Sequence, residues 1–176
     1  STIKSDDKVF AVHLKNNFFE VAIVGLGPVG LVLANILGKA GLSVAVLEQK
    51  QNLSDFPRAI HFDGEVMRIF QNIGLNEQVQ RIARPACDGM HFVNGSGQTL
   101  MTRQVSNDAG SQGWHNSWYF HQPDLERVLF NGVRRFNCVA IKFNCRVESI
   151  KNKKTFAILK YSSQGKEERN SFLKCR

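Results

Sequence analysis

The N-terminal part of the chain alternates between short apolar runs and a helical stripe. Residues 18–24 read FFEVAIV, a run of apolar, β-branched and aromatic side chains that is typical of a buried parallel strand. Residues 28–40 place apolar side chains at helical spacing and end before Gly41, and residues 43–47 form a second apolar run, SVAVL. The pattern therefore predicts a β-α-β unit in about 30 residues.

Two helices are predicted after this unit. Residues 51–62 form a polar connection, and Asp63 is suited to cap a helix that ends at Gly74. Asn76 is suited to cap a second helix, which would run to about Ala83.

Strand signals dominate the middle of the chain. Residues 90–93 and 98–102 flank the turn Asn94-Gly95-Ser96-Gly97, which predicts a β-hairpin. Residues 106–113 read as a polar loop, and residues 117–121 (SWYFH) as a further strand.

The last part of the chain returns to one helix and then to strands. Pro123 suits the first position of a helix, and residues 139–143 resemble another core strand. From Arg146 onward the pattern predicts a two-stranded meander with a turn near Asn152. Residues 171–175 resemble the start of a strand that is cut short.

The glycines of residues 25–30 (GLGPVG) follow the first predicted strand directly. Gly25 permits a tight turn, Gly27 lets the backbone approach a pyrophosphate without an intervening Cβ, and Gly30 lets the helix lie close to the strand. The helix N-terminus offers amide groups and a partial positive charge to an anion. Pro28 gives up one N–H donor but presets φ for the first helical turn.

Glu48 lies 23 positions after Gly25, at the end of the second predicted strand. A carboxylate there can accept hydrogen bonds from the ribose hydroxyls of an adenosine, so the unit predicts a dinucleotide site. The same carboxylate would repel a 2′-phosphate, which argues against NADP in this site. The motif does not separate FAD from NAD, and a tight β-α turn with a surface glutamate is the structural alternative.

Two further segments carry polar groups that could serve a nucleotide. Arg58, in Phe56-Pro57-Arg58-Ala59, could reach phosphates, or it could be a solvated loop residue. Gln122, within residues 120–126 (FHQPDLE), could bind a cofactor or could cap the helix that follows it.

Three stretches of the chain carry a family resemblance. They are residues 21–49, residues 56–75 (FPRAIHFDGEVMRIFQNIGL) and the HQPDLE segment at residues 121–126. Together they resemble the N-terminal part of the FAD-dependent aromatic-ring hydroxylases of the para-hydroxybenzoate hydroxylase type. Within that family they resemble the 3-(3-hydroxyphenyl)propionate hydroxylase-like enzymes, over roughly residues 19–176.

The resemblance implies an α/β fold, namely a Rossmann-like FAD/NAD(P)-binding three-layer fold with a parallel sheet and a β-meander, incomplete relative to the family. Residues 1–17 would be an irregular leader. Residues 18–87 and 119–176 would form the N-terminal portion of the FAD-binding domain. Residues 88–118 would be a hairpin insertion at the edge of the substrate domain.

The resemblance also implies cofactor contacts for individual residues. The glycine loop would bind the FAD pyrophosphate, and Glu48 the adenosine ribose. Arg58 would lie by the flavin and the pyrophosphate and would also serve NAD(P)H, Gln122 would contact FAD, and Arg127 would face the phosphates. The candidate cofactor-binding residues are Gly25, Gly27, Pro28, Val29, Gly30, Glu48, Gln49, Arg58, Gln122 and Arg127. No catalytic residue and no metal ligand is assigned.

In this family NAD(P)H reduces the bound FAD, and the reduced flavin uses O₂ to hydroxylate a phenolic ring. The expected partners are therefore a small aromatic substrate and O₂, without nucleic acid or membrane. The sequence leaves the oligomeric state open, with a homodimer as one option for the full-length enzyme. Two later FAD motifs of the family, an Asp-Gly pair and a Gly-Asp pair, are missing, because Asp63-Gly64 and Asp88-Gly89 lie in the wrong context. The chain is accordingly expected to be the N-terminal portion of a longer enzyme or a reduced relative. An NAD-dependent dehydrogenase domain and a nucleotide-binding module without turnover remain as alternatives.

Composition and charge add little to this interpretation. Apolar residues make up 43% of the chain and charged residues 22%, as in ordinary globular domains. The four cysteines form no C-x-x-C pair, which argues against a zinc site and favours reduced thiols in the cytoplasm. The formal net charge is +8, and residues 141–176 contain ten Lys and Arg against three Asp and Glu. We interpret this charge as a solvated meander, since aromatic side chains do not interleave with it as in nucleic-acid grooves.

Overall fold

The computed structural model describes residues 18–87, 89–104, 109–163 and 169–176, with the side chains of residues 169 and 170 left aside. The expected leader (residues 1–17), Asp88 and residues 106–108 of the expected polar loop lie outside the described residues. The chain divides into two compact units, one from residues 1–54 and 129–176 and the other from residues 55–128. The insertion predicted at residues 88–118 falls inside the second unit, and its place at the edge of a substrate domain stays a prediction.

The elements follow one another along the chain from a first short strand to a C-terminal strand. They are β1 (Phe18–Phe19), β2 (Val21–Val24), α1 (Pro28–Lys39), β3 (Val44–Leu47), β4 (His61–Phe62), α2 (Gly64–Asn72), α3 (Asn76–Gln80), β5 (Ala83–Pro85), β6 (Met90–Val93), β7 (Thr99–Arg103), β8 (Trp118–Phe120), α4 (Gln122–Val133), β9 (Val139–Lys142), β10 (Cys145–Asn152), β11 (Ala157–Ser163) and β12 (Arg169–Cys175). No helix of the described residues is long and apolar enough to cross a membrane.

A three-stranded parallel sheet lies at the centre of the first unit, in the order β2-β3-β9. All four residues of β3 are buried, because the strand has neighbours on both edges and layers on both faces. This explains why the strand reads as a continuous apolar run rather than as an alternating one. The predicted β-α-β unit is confirmed.

The layers on the two faces of this sheet are different. Ala45 and Leu47 pack into a core with residues of the meander strands, among them Leu159, Tyr161 and Leu173. Because side chains alternate across a strand, Val44 and Val46 face the opposite side, where α1 packs against the sheet. Helices, parallel sheet and meander sheet thus form the three predicted layers, and the Rossmann-like α/β class is confirmed.

The predicted strand at residues 18–24 is interrupted at Glu20. The Glu20 carboxylate accepts hydrogen bonds from the backbone N–H of Ser43 at 2.8 Å and from its hydroxyl at 3.2 Å. Phe18 and Phe19 therefore leave the parallel sheet and pair with β12 in the meander sheet, whose order is β1-β12-β11-β10.

The strand predicted to start within residues 171–175 is present as β12. β12 pairs with β11 along all seven of its residues, and its last residues also pair with β1. The meander is accordingly three-stranded rather than two-stranded. The pairing with β1 joins residues far apart in sequence, so the local pattern could not indicate it.

The second unit confirms most of the predicted elements. Asp63 caps α2, because its side chain accepts a hydrogen bond from the Val66 N–H at 3.0 Å. The helix at Asn76 is shorter than predicted and is preceded by Leu75 as the N-cap, so Asn76 does not cap it. The helix ends at Gln80 rather than at about Ala83, and residues 83–85 form β5, which pairs with β8. The β6–β7 hairpin is confirmed.

Candidate functional site

The glycine loop between β2 and α1 has a backbone conformation that residues other than glycine rarely adopt. Gly25 has φ of 102°, in the left-handed region that a side chain disfavours. Its N–H donates to the Leu47 carbonyl at 2.8 Å, so the loop is attached to the end of β3. The tight turn expected at Gly25 is present.

Gly30 lies against the same loop. A Cβ added at Gly30 would lie 2.1 Å from the carbonyl oxygen of Gly25 and 3.5 Å from the Ile23 side chain. The first turn of α1 can therefore lie this close to the loop and to β2 only if residue 30 has no side chain. This is the close helix–strand approach that the motif predicts.

The N-terminus of α1 is open to a ligand. Gly27 is the N-cap, and the Leu31 N–H makes the first helical hydrogen bond to its carbonyl at 2.9 Å. Among the described residues no side chain caps this end, and the N–H groups of Val29 and Gly30 precede that first bond. Val29 is 82% exposed. Free amide groups with the positive end of the helix dipole form a site suited to an anion.

The Glu48 carboxylate is bound to the glycine loop itself. Its Oε2 accepts a hydrogen bond from the Leu26 N–H at 2.8 Å, and its Oε1 accepts one from the Lys50 N–H at 2.8 Å. Each carboxylate oxygen can accept a second bond, so the half-buried group can still bind hydroxyls. The sequence placed Glu48 correctly at the strand end but did not show that it stabilises the loop.

A turn after β9 supports Glu48 from the other side. The Glu48 N–H donates to the Lys142 carbonyl, and its carbonyl accepts from the Cys145 N–H, both at 2.8 Å. Asn144 has φ of 57° and donates its N–H to the Lys50 carbonyl at 3.0 Å. The sequence analysis missed Asn144, although asparagine is the residue that tolerates this conformation best after glycine. Gln49 is exposed within the segment that this turn supports.

The second unit contains a cluster in which two buried polar side chains meet an exposed stretch of backbone. We name it the Gln122 cluster, and it comprises Arg58, Ala59, Gln122 and Glu126. The Gln122 Oε1 accepts hydrogen bonds from the Arg58 N–H at 2.8 Å and from the Ala59 N–H at 2.9 Å. Its Nε2 donates to the Glu126 Oε1 at 2.7 Å. The sequence left Gln122 as a cofactor ligand or a helix cap, whereas the structure shows its amide bound to the Arg58–Ala59 turn. Glu126 was missed, although its spacing of four from Gln122 on a helix was a signal.

Arg127 and His121 both contact Asp124 at the start of α4. The Asp124 carboxylate accepts a hydrogen bond from Arg127 and lies 2.9 Å from the His121 Nδ1. The hydrogen bond with His121, with a further contribution from Arg127, lowers the pKa of Asp124 below its ordinary value. The Arg127 side chain is still 56% exposed, and its contact with a phosphate stays a prediction.

Thiol and metal chemistry is not evident in the part of the chain that the structure describes. All four cysteines there are free, and Cys145 and Cys175 are buried. Within the same residues no three His, Cys, Asp or Glu side chains meet in a group that could hold a metal ion.

Comparison with known proteins identifies the family. Residues 19–175 match the family described as FAD binding domain. Over 128 residues the chain is 40% identical to the 3-(3-hydroxy-phenyl)propionate/3-hydroxycinnamic acid hydroxylase of Paraburkholderia xenovorans strain LB400, which covers 73% of this chain and 20% of that relative. The chain spans about a fifth of the length of the curated relatives it matches.

Solved structures agree with this assignment. The p-nitrophenol 4-monooxygenase PnpA from Pseudomonas putida DLL-E4 superimposes with a TM-score of 0.79 at 26% identity, over 90% of this chain and 39% of that chain. The flavin-dependent monooxygenase PieE, in complex with FAD and substrate, superimposes with a TM-score of 0.78 at 19% identity, over 90% and 29% of the two chains. At that identity PieE supports the fold alone. Since the family match extends over residues 19–175, which is most of the chain, the protein belongs to the FAD binding domain family.

Proposed function

We propose that the chain is the FAD-binding portion of a flavoprotein monooxygenase that hydroxylates a phenolic or other aromatic substrate with NAD(P)H and O₂. The observation that carries the proposal is the glycine loop with the Glu48 carboxylate bound to its Leu26 N–H. A loop that needs glycine at two positions, together with a carboxylate at its edge, matches the chemistry of a dinucleotide.

The residues of the loop fit FAD. The amide groups of Val29 and Gly30, with Gly27 and Pro28 beside them, would hold the pyrophosphate, because they are free of helical partners. Gly25 shapes the turn, and Glu48 would accept hydrogen bonds from the ribose, with Gln49 following it. When bound, FAD supplies the redox chemistry of hydroxylation, and the chain supplies binding and orientation.

Arg58 is the candidate for a second contact with the cofactor. Its side chain is exposed, and a guanidinium suits the phosphates of FAD or of NAD(P)H. Gln122 and Arg127 are candidates by resemblance, and the hydrogen bonds described above already engage both side chains.

The names of the relatives support a phenolic substrate. The relative from Paraburkholderia acts on a hydroxyphenyl carboxylic acid, and the one from Pseudomonas on p-nitrophenol. We extend to this chain only what these two names share, a small phenol. We also propose a cytoplasmic location with reduced thiols, which is supported by four free cysteines in the described residues.

Titration of FAD with the chain tests the proposal, with the quenching of flavin fluorescence as the measure of binding. We expect saturable binding of FAD in preference to NAD. The Glu48→Gln variant should bind FAD about tenfold more weakly, since a charged acceptor is lost. Glu77→Gln on α3 is the matched control, because Glu77 is exposed. Tighter binding of NAD than of FAD would favour a dehydrogenase domain, and binding of neither would contradict the proposal.

A second measurement tests turnover. The FAD-loaded chain is mixed with NADH or NADPH, with and without a phenolic acid, and oxidation of the nicotinamide is recorded. Oxidation stimulated by the phenol would show that this segment is sufficient for activity. FAD binding without oxidation would support the reading of a binding portion that needs further sequence.

A further inference from the structure

The Gln122 cluster contains two polar side chains that are almost fully buried. Gln122 is 2% exposed and Glu126 is 1% exposed. They are four residues apart on α4, so they lie on the same face of the helix. Burying a carboxyl group is unfavourable unless it is hydrogen-bonded, and here its partner is the Gln122 amide at 2.7 Å.

The hydrogen bonds determine which way the Gln122 amide points. Two backbone N–H groups, of Arg58 and Ala59, require the carbonyl oxygen on their side. Glu126 accepts a hydrogen bond and therefore requires the amide nitrogen on the other side. Both lone pairs of the oxygen are then used, and a single N–H remains on a side chain with almost no exposed surface.

The Gln122 carbonyl oxygen therefore binds only the backbone of the Arg58–Ala59 turn. Arg58 itself is exposed, while the groups that hold its backbone are buried. A buried anchor beneath an exposed arginine restricts the directions in which the guanidinium can extend. Fixing the residue before binding reduces the ordering cost of any contact it makes.

We propose that Gln122 and Glu126 are positioning residues, in which Glu126 orients the Gln122 amide and Gln122 fixes the Arg58–Ala59 turn that presents Arg58 to the cofactor. The part that concerns the cofactor rests on the function proposed above.

Amide hydrogen exchange of the chain without FAD, read by NMR, tests the positioning directly. Glu126→Leu removes the acceptor, and we expect the Arg58 and Ala59 amides to exchange about tenfold faster or more. Glu126→Gln keeps an oxygen acceptor and should restore the slow exchange. The Val46 amide in β3 reports on folding, and Glu77→Gln is the control for loss of a glutamate. Unchanged protection of both amides in Glu126→Leu would overturn the proposal.

Exchanging the Gln122 and Glu126 side chains tests which of the two donates and which accepts the hydrogen bond between them. Gln122→Glu places two carboxyl groups face to face and should release the turn. The double variant Gln122→Glu/Glu126→Gln reverses donor and acceptor between these two side chains and still offers oxygens to the Arg58 and Ala59 amides. We expect it to regain the wild-type exchange. If the double variant exchanges as fast as Gln122→Glu, the proposal fails, and this comparison remains informative if Glu126→Leu does not fold.

Titration of the same variants with FAD separates the two proposals. We expect Glu126→Leu to weaken FAD binding about tenfold and Glu126→Gln to restore it. Faster exchange at residues 58 and 59 with unchanged FAD affinity would contradict the cofactor part alone. Failure of the wild-type chain to bind FAD would contradict the proposed function, and the exchange data would still decide whether the turn is held as proposed.

Discussion

At the residue scale, the glycine motif has the backbone geometry that its spacing predicts, and Glu48 makes hydrogen bonds within the chain that the sequence did not predict. Gly25 and Gly30 are required by backbone geometry, one through its φ and the other through the 2.1 Å approach of a Cβ to a carbonyl. Glu48 binds the loop through the Leu26 N–H, in addition to the role toward the ribose that we propose for it. Residues that shape a ligand site can therefore also stabilise the fold around it.

Gly30→Ala tests this geometry. The new methyl group would meet backbone of the glycine loop, which cannot move as a flexible side chain would, so α1 must shift. We expect a loss of about 1–3 kcal/mol in the free energy of unfolding and loss of FAD binding. Urea denaturation and FAD titration measure the two effects. Gly95→Ala is the control, since no atom lies within 4 Å of its Cβ position, and equal losses in both variants would contradict the argument.

Asp124 should make stability depend on pH in the acid range. The hydrogen bond with His121 lowers the pKa of Asp124 in the folded chain below its ordinary value of 3.8. A lowered carboxyl pKa contributes stability above pH 3.8, and that contribution is lost as the pH falls through the lowered pKa. The Asp124→Asn variant should therefore be less stable than the wild type near neutral pH and equally stable at the acid end.

Urea midpoints of both proteins between pH 2 and pH 7 check the pH dependence, over the range in which Asp and Glu titrate. The difference should be small, because the Asp124 side chain is 37% exposed and solvent screens it. A difference that stays constant across this range would contradict the assignment to Asp124.

At the element scale, long-range pairing corrected the predictions that local patterns made. The helix predicted to run to about Ala83 ends at Gln80, and the next residues form β5 and pair with β8. Likewise, β1 leaves the parallel sheet to pair with β12. In both cases the backbone hydrogen bonds of a short strand are made to a partner strand that is far away in sequence. Helix α1 and strand β3 were predicted well, since the helix lies between Pro28 and Gly41 with apolar side chains at helical spacing and the strand is apolar on both faces.

Strand β12 provides two neighbouring positions with opposite environments. Leu173 is 2% exposed and packs in the core with Leu159, whereas Phe172 is 53% exposed. We expect Leu173→Ala to cost about 2–5 kcal/mol of unfolding free energy, because it leaves a cavity. Phe172→Ala should cost much less. Chemical denaturation of both variants measures the difference, and similar costs would indicate that β12 is not packed as described.

At the scale of the whole molecule, the charge is concentrated where the meander lies. Of the basic side chains there, Lys160 pairs with Glu148 at 2.7 Å. Lys151, Lys153 and Lys154 are exposed. The hydrogen bond with Lys160 lowers the pKa of Glu148. This is the arrangement of a solvated strand surface.

We therefore expect weak, non-specific binding of polyanions only. Fluorescence anisotropy with a labelled DNA duplex should give dissociation constants of about 10⁻⁴ M or weaker at physiological salt, and raising the salt should abolish binding. A micromolar affinity that resists salt would contradict this expectation and would indicate a defined nucleic-acid site.

The sequence by itself determined the β-α-β unit, the glycine loop, the position of Glu48, and the family resemblance. Each can be recognised from residues close together in sequence, because the glycine spacing, the helical periodicity and the strand composition extend over short segments. The tertiary structure decided the three-stranded meander, the interruption at Glu20 and the Gln122 cluster. Those features join residues separated by tens of positions, such as Arg58 and Gln122, and the free energy of such contacts is realised only after the chain has folded around them.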